Sequence, residues 1–212
     1  MQGKEISQAV IARLPRYHRY LRELKLQGKL RISSQELASI MKVTASQIRQ
    51  DFNNFGGFGQ QGYGYNVEYL YDEIDKILGL NEKKHLIIIG YGNMAHALVK
   101  YTHFLDNGFI FEAAFDLPEK VAMIQDAAIP LYAVTEMSGY IREHSIKMAV
   151  LAVPKSVAQE TALCLVENGI KAIWNFSPID LEVPDGVKVE NVHLQDSLMK
   201  LSYNANQHEK TD

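Results

Sequence analysis

Apolar residues recur at Val10, Leu14, Tyr17, Leu21 and Leu24, at alternating spacings of four and three, which predicts an amphipathic helix. Pro15 falls inside this pattern and marks either a kink or the first turn of a second helix. In "SSQELASIMKV", Ser33 and Glu36 form a capping box, and Leu37, Ile40 and Met41 are expected to face inward. After a short break "TASQIRQDFNNFG" opens on a second box, Thr44 with Gln47, and is expected to bury Ile48, Phe52 and Phe55. Two short helices joined by so short a turn fit a helix-turn-helix, although the turn lacks a glycine. The segment "FGGFGQQGYGYNV" follows. Phe58, Tyr63, Tyr65 and Val67 are strand formers, and Gln60-Gln61-Gly62 suits a hairpin tip. Helices followed by a hairpin are the order of a winged helix; a glycine-rich linker is the plainer alternative. A helix is expected from Glu68 to Leu80, and the charged, turn-prone "GLNEKKH" marks a domain boundary near residue 82.

Beyond the boundary the period changes. Near-continuous apolar runs, "LIIIG", "FIFEAAFD", "KMAVLAV", "KAIWNF" and "VKVENV", alternate with helical patterns near residues 93–105, 135–144 and 155–168. Buried strands separated by helices argue for a parallel sheet covered on both faces. The chain is therefore expected to be α/β. A winged-helix domain at 1–82 precedes a Rossmann-like domain at 83–192, and a last helix with a polar tail fills 193–212.

Charge sharpens this division. The chain has 22 Lys and Arg against 25 Asp and Glu, but residues 1–65 hold ten basic and four acidic residues, a net of +6, so the remainder carries −9. A basic module on an acidic domain suggests contact with a polyanion, the alternative being a solvated helix face. On the second helix of the pair, Ser46, Gln47, Arg49, Gln50 and Asn53 are expected on the outward face, where such side chains read base edges or grip phosphates. No apolar run reaches the roughly 18 residues of a membrane span, and "MQGKEISQAV" lacks the apolar core of a signal peptide. The lone Cys164 lies in an apolar helical pattern and is expected to be a reduced, buried small hydrophobe in a cytosolic protein.

The stretch "IIIGYGNMAHAL" holds the candidate ligand chemistry. A strand runs into Gly90, Tyr91 and Gly92, and Asn93, Met94 and Ala95 open a helix. The first two glycines serve the tight turn and the approach of a pyrophosphate, while the third position, here Ala95, governs helix–strand packing. Asp116 ends the next strand, 26 residues after Gly90. Its carboxylate is placed to bond a ribose 2′-hydroxyl and to repel a 2′-phosphate, favouring NAD(H) over NADP(H). The alternative for Asp116 is an ordinary strand-end turn residue. Only one helix follows the last strand, leaving no substrate domain, and no histidine pairs with a carboxylate in a catalytic arrangement. His96 and His103 lack further ligands for a metal. No catalytic or metal-binding residue is expected, and the domain reads as a dinucleotide sensor rather than an enzyme.

The segments "SSQELASIMKVTASQIRQDFNNFGGFGQQGYGYNV", "IIIGYGNMAHALVKY", "FDLPEK", "AVPKSVAQETALCLVENGIKAIWNFSPIDLEVPDGV" and "VENV" together resemble the Rex family of redox-sensing transcriptional repressors. The resemblance implies a homodimer that binds operator DNA when NADH is scarce and releases it when NADH binds. It also implies a domain-swapped C-terminal helix from about Leu194 to Tyr203, Tyr101 near the nicotinamide, and Val153, Pro154, Asn175 and Phe176 lining the pocket. The chain departs from the family pattern at Ala95, at Gln50 in place of a lysine, and at a wing tip of Gln60 and Gln61 in place of a basic residue. His193 stands where the family carries an acid that pairs with an arginine matching Arg19. Two alternatives remain: a Rossmann-fold enzyme or enzyme subunit with an N-terminal assembly domain, and a loop that binds another adenine ligand such as coenzyme A.

Overall fold

A computed structural model describes residues 6–55, 59–60 and 63–208. The chain divides into two compact units, Met1–Glu82 and Lys83–Asp212. Among the described residues no helix is long and apolar enough to cross a membrane.

In the first unit, helices α1 (Gln8–Ile11), α2 (Leu14–Leu26), α3 (Ser34–Met41), α4 (Ala45–Asn53) and α5 (Val67–Leu78) surround one apolar core. Strand β1 (Arg31–Ile32) precedes α3, and β2 (Gly59–Gln60) and β3 (Gly64–Asn66) follow α4. The strands pair antiparallel in the order β1-β3-β2. Pro15 sits in the first turn of α2, where its missing N–H costs no hydrogen bond, so the proline begins a second helix rather than kinking one. Leu14, Tyr17 and Leu21 are fully buried, at roughly 1.5–3 kcal/mol of burial for each large apolar side chain.

The Ser33–Glu36 capping box is complete: Ser33 Oγ accepts from Glu36 N–H, and a Glu36 carboxylate oxygen accepts from Ser33 N–H. The inward stripe of α3 is Leu37, Ala38 and Met41, whereas Ile40 is 40 % exposed, against expectation. Once Leu37 and Met41, one turn apart, face the core, Ala38 lies beside them and Ile40 turns outward. The second box is half formed. Thr44 Oγ1 caps Gln47 N–H, but the Gln47 amide turns to Asp51 instead of back to the cap. Val67 begins α5 rather than extending a strand, because the Asn66 side chain caps Tyr69 N–H and starts the helix there. Phe58, Gln61 and Gly62 lie outside the described residues, so the expected hairpin is seen in the pairing of Gly59 with Tyr65 and Gln60 with Gly64.

The second unit is a six-stranded parallel sheet in the order β6-β5-β4-β7-β8-β9. Its strands are β4 (Lys84–Ile89), β5 (Phe109–Asp116), β6 (Leu131–Ala133), β7 (Met148–Leu151), β8 (Ala172–Asn175) and β9 (Lys188–Asn191). The order reverses at β4, the first strand, which puts a crevice at the carboxyl ends of β4 and β7. Helices α6 (Asn93–Lys100), α7 (His103–Asp106), α8 (Pro118–Val121), α9 (Met137–Glu143) and α10 (Lys155–Glu167) connect the strands, and α11 (Leu194–His208) follows β9. The single helix expected over 93–105 is two, broken where Tyr101 takes an extended conformation. Apolar cores lie on both faces of the sheet, as buried parallel strands require.

Candidate functional site

On α4, Ser46, Arg49, Gln50 and Asn53 are exposed on one surface. The Arg49 guanidinium rests on Ser34 Oγ at 3.0 Å, so the first turn of α3 steadies the side chain expected to reach DNA. Gln47 departs from expectation. It is half-buried, and its amide donates to Asp51 Oδ1 at 2.8 Å, directing it into the unit instead of outward. In the turn between the helices Lys42 adopts the left-handed conformation, φ 53° and ψ 46°, that a glycine supplies more cheaply. At the wing, Arg31 donates to the Tyr63 carbonyl at 3.2 Å and ties β1 to the hairpin. The pairing partner Gln60 is placed in β2; Gln61 is not among the described residues.

Asp51 is the residue that sequence patterning missed. Its side chain is fully buried beneath α4, and it accepts four hydrogen bonds: two from Arg13 (2.7 Å each), one from the Tyr17 hydroxyl (2.8 Å) and one from Gln47 (2.8 Å). Burial alone would raise its pKa, but these donors outweigh burial and hold the carboxyl below its ordinary value. The Asp51 bond in turn raises the Arg13 pKa, and burial with the same bond raises that of Tyr17. Helix α4 is thus bolted to the start of α2. An acid at a helix position flanked by two buried apolar residues, Ile48 and Phe52, was the available signal.

In the second unit β4 delivers the chain to Gly90, whose φ is +88°; a Cβ there would lie 2.4 Å from the Ala152 carbonyl oxygen. Gly92 is the N-cap of α6, with no side-chain cap, and nothing lies within 4 Å of the position its Cβ would take. The first turn of α6, at Asn93, Met94 and Ala95, thus has no side-chain cap on its amides at the positive end of the helix, and the position before it is open. An uncapped helix start behind an open glycine suits a pyrophosphate, so the residues present fit a dinucleotide. Ala95 is fully buried against Leu86, Ile88, Ala114 and Val150, which explains a residue larger than glycine but no larger than alanine at the third position. Tyr91 is buried too; its hydroxyl accepts from Ala128 N–H at 3.0 Å and its ring lies 4.3 Å from that of His96.

Asp116 ends β5 as expected, but it is only 7 % exposed. Its Oδ2 accepts from Tyr91 N–H and its Oδ1 from Leu117 N–H, each at 2.8 Å, while Lys120 Nζ stands 3.5 Å from Oδ1. The carboxylate braces the glycine turn. Tyr101 is 54 % exposed, with its ring edge-on to His103 and Phe104. Val153 and Pro154 follow β7 at the crevice. The Asn175 side chain is fully buried and bonded to Ile179, Asn191 and Ser177, so it shapes the loop after β8. Phe176 is half-buried against Trp174.

Among the described residues no group of three or more potential ligands gathers for a metal. An apolar cavity of about 350 Å³, lined among others by Leu86, Phe109, Met148 and Trp174, lies toward the amino ends of the strands, away from the glycine turn. Arg19 is exposed beside the Tyr20 ring. His193 Nε2 lies 3.0 Å from Asp180 Oδ1, so a carboxylate is present at that corner although residue 193 is not an acid.

Residues 5–53 match a family model described as "Putative DNA-binding protein N-terminus", and residues 81–179 match one described as "CoA binding domain". The chain is 53% identical over 205 residues to the redox-sensing transcriptional repressor Rex of Thermoanaerobacter pseudethanolicus, covering 97% of this chain and 92% of the relative. It is 50% identical over 201 residues to the Rex repressor of Clostridioides difficile, covering 95% and 96%. A crystal structure of RSP with beta-NAD+ and operator DNA superposes with a TM-score of 0.91 at 52% identity, covering 98% of this chain and 96% of that one. RSP with beta-NADH superposes at 0.89 and 49% identity, covering 98% of each chain. With relatives of this identity aligned along nearly its whole length, the chain belongs to the Rex family of redox-sensing transcriptional repressors.

Proposed function

We propose that the chain is a cytoplasmic repressor that binds operator DNA as a homodimer through α4 and the wing, and is released by NADH bound at the glycine turn. The observation that carries this is the uncapped start of α6 behind the open Gly92, on the same chain as a braced recognition helix. Arg49, Ser46, Gln50 and Asn53 would face the duplex, and the wing around Gln60 and Gln61 an adjacent groove or backbone. The amides at Asn93, Met94 and Ala95 would hold the pyrophosphate, with Tyr101, Val153, Pro154 and Phe176 toward the nicotinamide. NADH supplies no chemistry of its own in this scheme; it shifts an equilibrium, and only by binding one arrangement of the dimer more tightly than the other. Arg19 and the His193–Asp180 corner are assigned to that switch. A gel shift on a palindromic AT-rich operator tests the proposal: a retarded band that NADH dissolves is expected, and a band indifferent to NADH refutes the sensor.

The match to a CoA-binding family model favours a second ligand. Fluorescence titration with NADH, NAD+ and coenzyme A separates the two, because only the adenine half and its phosphates are shared. Coenzyme A binding more tightly than NADH would replace the redox reading.

A further inference from the structure

The exposed polar residues of α4, Ser46, Arg49, Gln50 and Asn53, meet a duplex correctly at only one roll of the helix about its axis. A helix with its side chains is about 10–12 Å across, so a roll of about 10° carries a side-chain tip by about 1 Å, enough to break a hydrogen bond to a base edge. The buried Ile48 and Phe52 hold α4 by apolar contact, which has no direction and fixes the roll poorly. Directional contacts come from two places. Arg49 reaches Ser34 on α3, but this bond is exposed, and a guanidinium that takes up a base or a phosphate gives it up. Asp51 keeps its contacts: its carboxylate is fully buried and accepts from Arg13, the N-cap of α2, twice at 2.7 Å, and from the Tyr17 hydroxyl on α2 at 2.8 Å. The bond from Gln47 to Asp51 lies within α4 and tethers it to nothing else. Pairing with Arg13 also offsets a negative charge that phosphates would repel.

Resting on the reading of α4 as the DNA-facing helix, we infer that Arg13 and Tyr17 are positioning residues for base recognition. Through Asp51 they set the roll of α4, and so govern discrimination between duplex sequences rather than attraction to DNA as such. Two conservative variants isolate the role. Tyr17→Phe keeps the ring in the core and Arg13→Lys keeps the positive charge, while each removes bonds to Asp51.

In the test, the full wild-type chain first selects its preferred duplex from a random pool. Fluorescence anisotropy without NADH then compares that duplex with a scrambled one of the same composition, across a salt series. Tyr17→Phe and Arg13→Lys are each expected to weaken the selected duplex by about tenfold, the scale of a misplaced bidentate base contact. The scrambled duplex should weaken by no more than about twofold, with the salt slope unchanged, because no phosphate contact is lost. Gln47→Ala, which breaks only the bond internal to α4, should alter neither affinity. Circular dichroism confirms that each variant is folded, and where one fails to fold the other decides. Equal weakening of both duplexes, as loss of structure alone would give, overturns the inference. So does unchanged affinity for both, or lost discrimination in Gln47→Ala. A wild type that enriches no sequence from the pool overturns the DNA reading of α4 itself.

Discussion

Gly90 and Gly92 stand two residues apart in one turn, and the structure predicts that they fail in different ways. An alanine at 90 must hold a left-handed φ of +88°, which costs a residue with a Cβ about 1–2 kcal/mol. The Cβ also arrives 2.4 Å from the Ala152 carbonyl oxygen and 2.8 Å from its carbon. These are backbone atoms of the segment leaving β7, so the strain is not relieved by a rotamer change, and overpacking of this kind costs about 1–3 kcal/mol more. Gly90→Ala should therefore destabilise the second unit by about 2–5 kcal/mol. At 92 the backbone has φ −89°, which any residue adopts, and the added Cβ meets nothing. Gly92→Ala should stay within about 1 kcal/mol of the wild type, since replacing glycine at a compatible position mainly restricts the unfolded chain. The assay is urea unfolding followed by the fluorescence of Trp174, the chain's single tryptophan, which lies in β8 and reports this unit. Ligand binding should invert the order of harm: Gly92→Val keeps the fold and loses NADH, its side chain filling the space in front of α6. Equal destabilisation by the two alanines, or a folded Gly92→Val that still binds NADH, would refute the division of labour.

Arg49→Ala should weaken operator binding by about 1–3 kcal/mol if the guanidinium makes a bidentate base contact. If it holds phosphate instead, anisotropy titrations should show a similar loss on all sequences and a salt slope smaller by about one, and no change in either measure removes Arg49 from the interface. Asp51→Asn should destabilise the first unit by about 2–4 kcal/mol, below the usual range for a broken buried pair because Arg13 is about a third exposed; thermal unfolding by far-ultraviolet circular dichroism measures it, and an unchanged midpoint would show the network to be idle. The folded-state pKa values of Asp51 and Glu36 are depressed, the latter to about 2, so their contribution is present above the ordinary carboxylate value and is lost as pH falls toward 2. The acid limb of the stability profile should accordingly flatten in Asp51→Asn, and a limb of unchanged slope would deny the linkage. Lys42→Gly should raise stability by up to about 1 kcal/mol by relieving the left-handed backbone after α3, and a drop in midpoint would show that the lysine side chain has a structural role.

What the sequence disclosed follows from where periodicity is strong. The inward residues of α2 and the paired glycines were legible because burial on one face, or a tight turn, leaves few permitted residue types. The β4, β5 and β7 runs were legible for the same reason, being apolar without interruption. The short pieces were not: β1, β6 and α8 span two to four residues each, too few for a period to emerge. Ile40 was misassigned because an isoleucine on a short amphipathic helix fits either side of the stripe. The polar interior was hidden for a deeper reason. Asp51, Gln47 and Asn175 are side chains that composition sends outward, and partners brought from other segments, Arg13 and Tyr17 for Asp51 and Asn191 for Asn175, make the burial tolerable. Resemblance to the family marked position 193, whereas the carboxylate that stands beside it comes from Asp180, thirteen residues earlier.

Helix α11 has 15 residues, and Leu194, Leu198, Met199, Leu201 and Tyr203 are each more than half exposed. A helix of that length is marginal in water on its own intrinsic propensity, and among the described residues none of α11 joins an apolar core. If a second copy covers it, dilution should unravel the last segment before either globular unit melts, with the early loss of ellipticity moving to lower temperature as protein concentration falls. The carboxyl terminus would then serve as the molecule's own gauge of how many copies are present, and a protease that cuts only unwound chain would read it.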